Sequence, residues 1–429
     1  IRSRPHWSVR ALRQLRPSRK WLRRGRSRGP CLAPMTDRIY YTEPSCRSFE
    51  ATVRRVDERE GRLVVVLDRT AFYPTSGGQP FDTGRLGSVE VIDTIDEGDE
   101  IVHVVNGALS VGVRVRGEID WGRRFDHMQQ HTGQHVLSAA FDRLFENRTT
   151  SFHMGAELST IDLAREVTSA ELDRAIDEAN HIVWEDREVS VRFVSADEAA
   201  RLPLRKEPVR EGTLRLVEIR DFDLSACGGT HVSRTGAIGM IAVTNAERFR
   251  GGSRVTFVGG GRASRTFRSY RDAITGAVRV LSVLPHELPG AIERAQLESK
   301  DLRKTVARLQ GELAGHEAAR LLAGAQVIGN RRVVVQALEG WDAAGIKAIA
   351  GALSTESGVV AVLVSAGSPP VAVVVVRSQD VTLDSSKALR TLLDRFGGRG
   401  GGRPELAQGA GLVGKIDDIL AAARELTIA

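Results

Sequence analysis

Hydrophobic and polar positions change their period several times along this 429-residue chain, and each change marks an element. From about 49 to 121 the pattern is short alternating runs (FEATVRRVDER, RLVVVLDRT, SVEVIDTIDEG, EIVHVVNG, VRVRGEIDW) separated by turn residues. Period-two alternation sends one face of each strand inward, so this stretch predicts a small antiparallel β-barrel or sandwich. At Asp126 the period lengthens. Asp126 is the predicted N-cap of a helix over 127–146 whose buried stripe is Val136, Leu137, Ala140, Phe141 and Leu144. Strand-like TSFHMGAELSTIDLA follows, then a second helix opened by the capping box Thr168-x-x-Glu171, then strands at EVSVRFV, LRLVEIRDF, IGMIAVTNA and SRVTFVG. Helices alternating with strand clusters predict an α+β domain over 126–262.

Residues 263–324 read as helix, broken near Pro285 and Pro289, with Leu302, Val306, Leu309 and Leu313 at helical spacing. That stripe suits a helix packed on its own domain or a dimer seam. From 325 to 429 the order is strand, helix, strand, strand, helix, with VVAVLVSAG and PVAVVVVRS as central strands. This predicts a separate α/β domain. The expected class is therefore α+β: an N-terminal antiparallel barrel (35–125), an α+β domain (126–262), a helical linker (263–324) and a C-terminal α/β domain (325–429).

Charge changes this picture at one end. The formal net charge is +7, yet residues 1–34 hold ten Arg, Lys20 and no acid. Without those eleven, 50 basic residues face 54 acidic ones, a net of −4, so global basicity does not argue for a nucleic-acid partner. The first methionine is Met35, and 1–34 reads as a segment outside the fold: translated upstream sequence from a misplaced start, or an organelle leader. No run of about 18 apolar residues exists to span a membrane. Three cysteines (Cys31, Cys46, Cys227) make no disulfide framework and suit a reducing compartment.

The candidate chemistry starts at DHMQQHTGQHVLSAAF, residues 126–141. Residues four apart on a helix share a face, so two imidazoles there can meet one ion. Both 127/131 and 131/135 satisfy the spacing. About 90 residues on, SACGGTHVS offers Cys227 and His231 on a glycine-rich turn that can curl thiolate and imidazole together. HExxH is absent, which removes the general base of a metalloprotease, and the spacings fit no zinc finger. Within the barrel stretch, AFYPTSGGQPFDTG (71–84) suits a tight loop, read either as a bulged hairpin or as a close backbone approach to a ligand with Gln79 hydrogen-bonding it.

Taken in order, YPTSGGQPFDTG, HTGQHVLSAAF, SFHMG and CGGTH resemble the editing module of alanyl-tRNA synthetases, and still more the free-standing alanyl-tRNA editing proteins of the AlaX type. GGGRPELAQGAG resembles the GGGRP-x-x-AQGGG loop of the DHHA1 domain that follows the module, with Ala410 where that pattern has glycine. The resemblance spans about 38–429. It implies that 126–262 is a zinc-binding editing domain, that 325–429 is DHHA1-like, and that the protein works in the cytoplasm on tRNA(Ala) mischarged with serine or glycine. Only about 90 residues precede the module, where a synthetase carries its activating domains, and no GxxxxGK[ST] loop is present. Hydrolysis rather than ligation is therefore expected. The rivals are a threonyl-branch specificity and a zinc-stabilised tRNA-binding protein without turnover.

The resemblance selects His131 and His135, with Cys227 and His231, as ligands of Zn²⁺. His127 then stands at the helix start, solvated or facing the RNA terminus. His153 becomes the acid/base or substrate-orienting candidate, and Gln79 is expected to orient water or meet the terminal ribose. Thr132 and Gln134 are candidates to line the amino-acid pocket, and Arg254 to meet a phosphate. The loop of Gly400, Gly401, Gly402, Arg403 and Gln408 would hold tRNA. A homodimer through the linker and C-terminal domain is the implied assembly.

Overall fold

The structure is a computed structural model that describes residues 35–205, 212–367 and 370–428. The expectations for residues 1–34 fall outside these. The chain divides into two compact units, one ending at Asp272 and the other beginning at Ala273.

In the first unit, a short strand β1 (Asp37–Arg38) and helix α1 (Ile39–Thr42) lead into β2 (Ser48–Arg59), β3 (Arg62–Leu67), β4 (Arg69–Thr70), β5 (Gly84–Leu86), β6 (Val89–Asp96), β7 (Ile101–Val105) and β8 (Arg114–Ile119). Six of them close a barrel in the order β2-β3-β7-β6-β5-β8. The alternation explains it: Phe49, Ala51 and Val53 of β2 point inward with Val65, Leu67, Leu86, Val91 and Val105. Closure leaves no open edge. The loop that carries Gln79 lies between β4 and β5.

Helix α2 (Trp121–Phe145) follows, and it opens at Asp120, six residues before the expected cap. Asp120 accepts the backbone N–H of Arg123, while Asp126 is instead paired with Arg262 at 2.7 Å. Every residue of α2 from His127 to Phe141 is buried. Its Val136, Leu137, Ala140 and Phe141 share a core with Ile161, Ile182, Val217 and Phe257, and Leu144 is half-buried.

Strands β9 (Thr149–Met154) and β10 (Ser159–Leu163) come next, then α3 (Ser169–Trp184), which has the predicted Thr168/Glu171 capping box. After them run β11 (Val189–Val194), α4 (Ala196–Ala199), β12 (Leu214–Ile219), β13 (Asp223–Ala226), β14 (Ile241–Phe249) and β15 (Gly252–Gly259). They form a sheet ordered β14-β15-β10-β9 and a smaller one ordered β11-β12-β13. Helix α5 (Gly260–Leu281) ends where the break near Pro285 was predicted.

In the second unit, α6 (Leu288–Ala323) precedes β16 (Gln326–Ile328), β17 (Arg331–Glu339), α7 (Ala343–Ser354), β18 (Val359–Ala366), β19 (Val371–Arg377), α8 (Ser385–Phe396), β20 (Arg399–Gly402), β21 (Leu406–Leu412) and α9 (Ile416–Ile428). The sheet order is β16-β17-β18-β19-β21-β20, so the two Val-rich runs are indeed central. Ala361, Leu363, Val374 and Val376 face one core, and Val362, Val364, Val373 and Val375 the other. Burial on both faces is what makes such strands apolar throughout. Helix α6 packs through Ala314, Ala318 and Leu321. The expected stripe of Leu302, Val306, Leu309 and Leu313 is 45–59% exposed, so it is not what holds the helix to its own unit. No helix among the described residues is long and apolar enough to cross a membrane.

Candidate metal centre and its cavity

Two turns of α2 carry His131 and His135, and the turn after β13 carries Cys227 and His231. One ligand atom from each lies within 4.8 Å of every other. The Cys227 Sγ is 3.4 Å from Nε2 of His131 and 3.3 Å from Nε2 of His231. Ligands held at about 2.0–2.3 Å around a tetrahedral Zn²⁺ stand about 3.3–3.7 Å apart, so the two Cys227 distances match the ion, and the whole set lies within 4.8 Å. Gly229 makes it reachable: a Cβ there would stand 2.1 Å from a ring carbon of His131. The Gly229 N–H also points at the sulfur, at 3.4 Å.

The outer ring nitrogens complete the fit. His131 Nδ1 donates to Gln79 Oε1 (2.8 Å) and His135 Nδ1 to Asp223 Oδ2 (2.9 Å), and His231 Nδ1 lies 3.2 Å from Thr132 Oγ1. With each Nδ1 spent outward, each Nε2 is left as the ligand atom, which is the usual tautomer logic of a metal-binding histidine. Burial alone would raise the Cys227 thiol, but His131 and His231 outweigh it and pull it well below its ordinary value. The thiolate is the form that binds metal. Burial lowers His231 to about 3, whereas at His135 the Asp223 carboxylate overcomes burial and raises it to about 9.

A cavity of about 180 Å³ opens beside this cluster. Its walls include His131, His135, Cys227, Tyr73, Phe152, Gln134, Arg205, Thr149, Thr150 and Ser151. Gln134 donates to Ser138 Oγ at 2.8 Å, which steers its amide along the wall.

Several expected residues are placed otherwise. Gln79 is fully buried: its Oε1 accepts from His131 and from the Thr230 N–H, and its Nε2 donates to Thr230 Oγ1. It clamps the barrel loop to the cluster and is not among the residues lining this cavity. Thr132 is also fully buried and holds His231 and the Val232 N–H rather than a pocket wall. His153 is exposed, because strand alternation turns Phe152 onto the His131 ring (5.4 Å between centroids) and His153 away. Arg254 is engaged by Asp162 at 2.7 and 2.9 Å and lies over the Phe249 ring, so its charge is already partnered. His127 is in the second turn of α2, buried and outside the cluster; burial, then Arg123, lowers it to about 3. In the second unit, Gly401 lines a cavity of about 530 Å³ with Lys347 and Arg399, while Gly402 and Arg403 are exposed on the edge strand and the turn after it. Ala410 pairs with Ala372 where the β19–β21 register shifts, and the neighbouring Gly411, skipped by that shift, takes the positive φ.

Asp223, Arg205 and the buried pair Arg124–Asp82 escaped the sequence reading. Arg124 joins α2 to the barrel through Asp82 and the Pro44 carbonyl. The signal for Asp223 was present: an acid at an inward position of a strand, four residues before Cys227.

A barrel-capped split donor set, followed by a separate mixed-sheet domain, defines a class of tRNA-synthetase-related modules. Residues 214–256 match the family described as the threonyl and alanyl tRNA synthetase second additional domain, 37–123 match tRNA synthetases class II (A), and 330–428 match the DHHA1 domain. The chain is 31% identical to the alanyl-tRNA editing protein AlaX-L of Pyrococcus horikoshii, over 87% of this chain and 94% of that protein. It is 34% identical to the alanine–tRNA ligase of Pyrococcus abyssi, over 88% of this chain but 42% of the ligase. A similar likeness, 37% over 92% of this chain and 44% of the other, links it to the ligase of Halobacterium salinarum. It thus spans less than half the length of these ligases. The chain belongs to the family of long-form alanyl-tRNA editing proteins.

Proposed function

We propose that this protein is a trans-editing hydrolase that deacylates tRNA(Ala) mischarged with serine or glycine, in the cytoplasm, at the cavity beside His131, His135, Cys227 and His231, with Zn²⁺ as cofactor. The observation that carries the reading is the convergence of three Nε2 atoms and one thiolate on a cavity of about 180 Å³, a size for a small amino acid rather than a nucleotide. Small side chains are rejected poorly by binding alone, so a second, hydrolytic site is the physical remedy. Bound there, Zn²⁺ would supply Lewis acidity toward an ester carbonyl or water. The chain's own groups do the rest. Tyr73 and Phe152 wall the cavity from solvent. Gln134 and Ser151, on the cavity wall, offer partners to a serine side chain, whose hydroxyl is costly to bury unpaired. Arg205 is the one Lys or Arg among the described residues that line the cavity, and Asp223 holds it in place.

The full chain, incubated with Ser-, Gly- and Ala-tRNA(Ala) and with Ser-tRNA(Thr), should deacylate the first two and spare the third. Chelation with a zinc-specific ligand should abolish the activity, and added Zn²⁺ should restore it. Hydrolysis confined to Ser-tRNA(Thr) would move the protein to the threonyl branch. Tight tRNA binding with no turnover would make it a binding protein.

A further inference from the structure

The three histidines are not held alike. His131 leans on an amide and His231 on a hydroxyl, but His135 donates to a carboxylate, Asp223, whose side chain is 1% exposed. A buried carboxylate is costly unless fully partnered, and this one is. Arg205 donates to it through Nε (2.6 Å) and Nη2 (3.1 Å), and Ser225 Oγ lies 3.1 Å from both oxygens. Asp223 opens β13, four residues before Cys227, so the strand that delivers the thiolate also delivers the partner of His135. Arg205 comes from the segment between α4 and β12, and is the only Lys or Arg among the described residues that line the cavity.

We propose that Asp223 is a positioning residue that fixes His135 as a metal ligand, and that Arg205 acts on the metal through Asp223. The proposal rests on the zinc reading above. The carboxylate sets the tautomer, locks the ring plane and strengthens electron donation from Nε2. Outer partners of this kind change metal affinity by roughly 10–100-fold. Arg205, by sharing the carboxylate, fixes where Asp223 points. Without Asp223 it has nothing to position.

The test measures metal, not turnover. Zn²⁺ affinity is determined by competition with a chromogenic chelator, and Co²⁺ is substituted to read the visible bands of the bound ion. Asp223→Ala should weaken Zn²⁺ by roughly 10–100-fold and alter the Co²⁺ spectrum. Asp223→Asn, which keeps an acceptor for His135, should recover part of that loss and guards against a variant that fails to fold. Arg205→Gln should weaken binding by a smaller factor, and the Asp223→Ala/Arg205→Gln double variant should bind as Asp223→Ala does, since the two act in series. Unchanged affinity and spectrum in Asp223→Ala overturns the proposal while leaving the zinc reading intact. So does a double variant in which the two losses multiply. Failure of the parent protein to bind Zn²⁺ overturns both.

Discussion

Gly229 presses against the His131 ring so closely that any side chain there displaces the ring, whereas at Gly228 the nearest atom to an added Cβ is 3.9 Å away. Neither glycine has a positive φ, so the pair isolates the effect of space from that of backbone strain. Gly229→Ala should lower Zn²⁺ affinity by on the order of tenfold or more, as loss of ligand support does. Gly228→Ala should bind within a few-fold of the parent. Equal affinity in both variants, measured by the same chelator competition, would refute the steric account. At this scale the metal-type side chains were legible, because histidine and cysteine are scarce and their spacing within each pair is local. Their supports were not. Gln79 stands 52 residues from His131 and Asp223 stands 88 from His135, separations that no period encodes. His153 faces away for a different reason: a strand's phase decides which of two neighbours faces inward, and the phase that puts Phe152 against the His131 ring is set by tertiary packing, not by the local pattern.

Among the elements, β7 carries a titratable group that governs how the barrel meets acid. His103 is fully buried; its Nδ1–H donates to the Val65 carbonyl at 3.1 Å, and Nε2 accepts the Thr70 hydroxyl at 2.8 Å. Burial lowers it from 6.5 to about 4. The folded protein therefore holds His103 neutral while the unfolded chain takes up a proton at about 6.5. Its stability contribution is fully present above 6.5 and falls as pH drops toward 4, by about 3 kcal/mol across that window. Urea unfolding of the parent should show this acid-side loss, and His103→Gln should lessen it, with the buried His127 contributing to what remains. Identical slopes in the two proteins would exclude His103 as the cause. The barrel strands were legible where the pattern alternates, as in β8 and the first half of β2, whereas β7 is buried along its whole length. The start of α2 was not legible: its first turns are polar, and Arg124 is buried only because Asp82 from the barrel meets it. A pattern rule counts such a residue as exposed.

Across the whole molecule, the question left by the fold is what covers α6. Leu302, Val306, Leu309 and Leu313 form a stripe at helical spacing that stays open to solvent. Self-association of two copies along this helix is the assembly we expect, since charged rows flank the stripe and a second identical stripe would bury it. In sedimentation velocity the parent should run as a dimer and Leu302→Asp/Leu309→Asp as a monomer with an unchanged unfolding midpoint. A monomeric parent, or a variant that still dimerises, would discard this seam. The central strands of the second unit were plain from their continuous apolar runs. The strand order was not, because runs of similar Val-rich composition do not say which will pair.

Gln79 has a thermodynamic consequence beyond geometry. It ties the barrel loop to Thr230, 151 residues away, and to a ring that faces the donor set. The unfolded chain offers two separate local pairs, His131–His135 and Cys227–His231, so an ion captured by all four donors binds the native state far more tightly. Free metal at a thousand times its dissociation constant then adds about 4 kcal/mol to folding. Through Gln79 that increment reaches the barrel, which holds no donor of its own. A metal-loaded sample should therefore unfold at higher urea than a metal-stripped one, with the barrel and the donor set losing structure together.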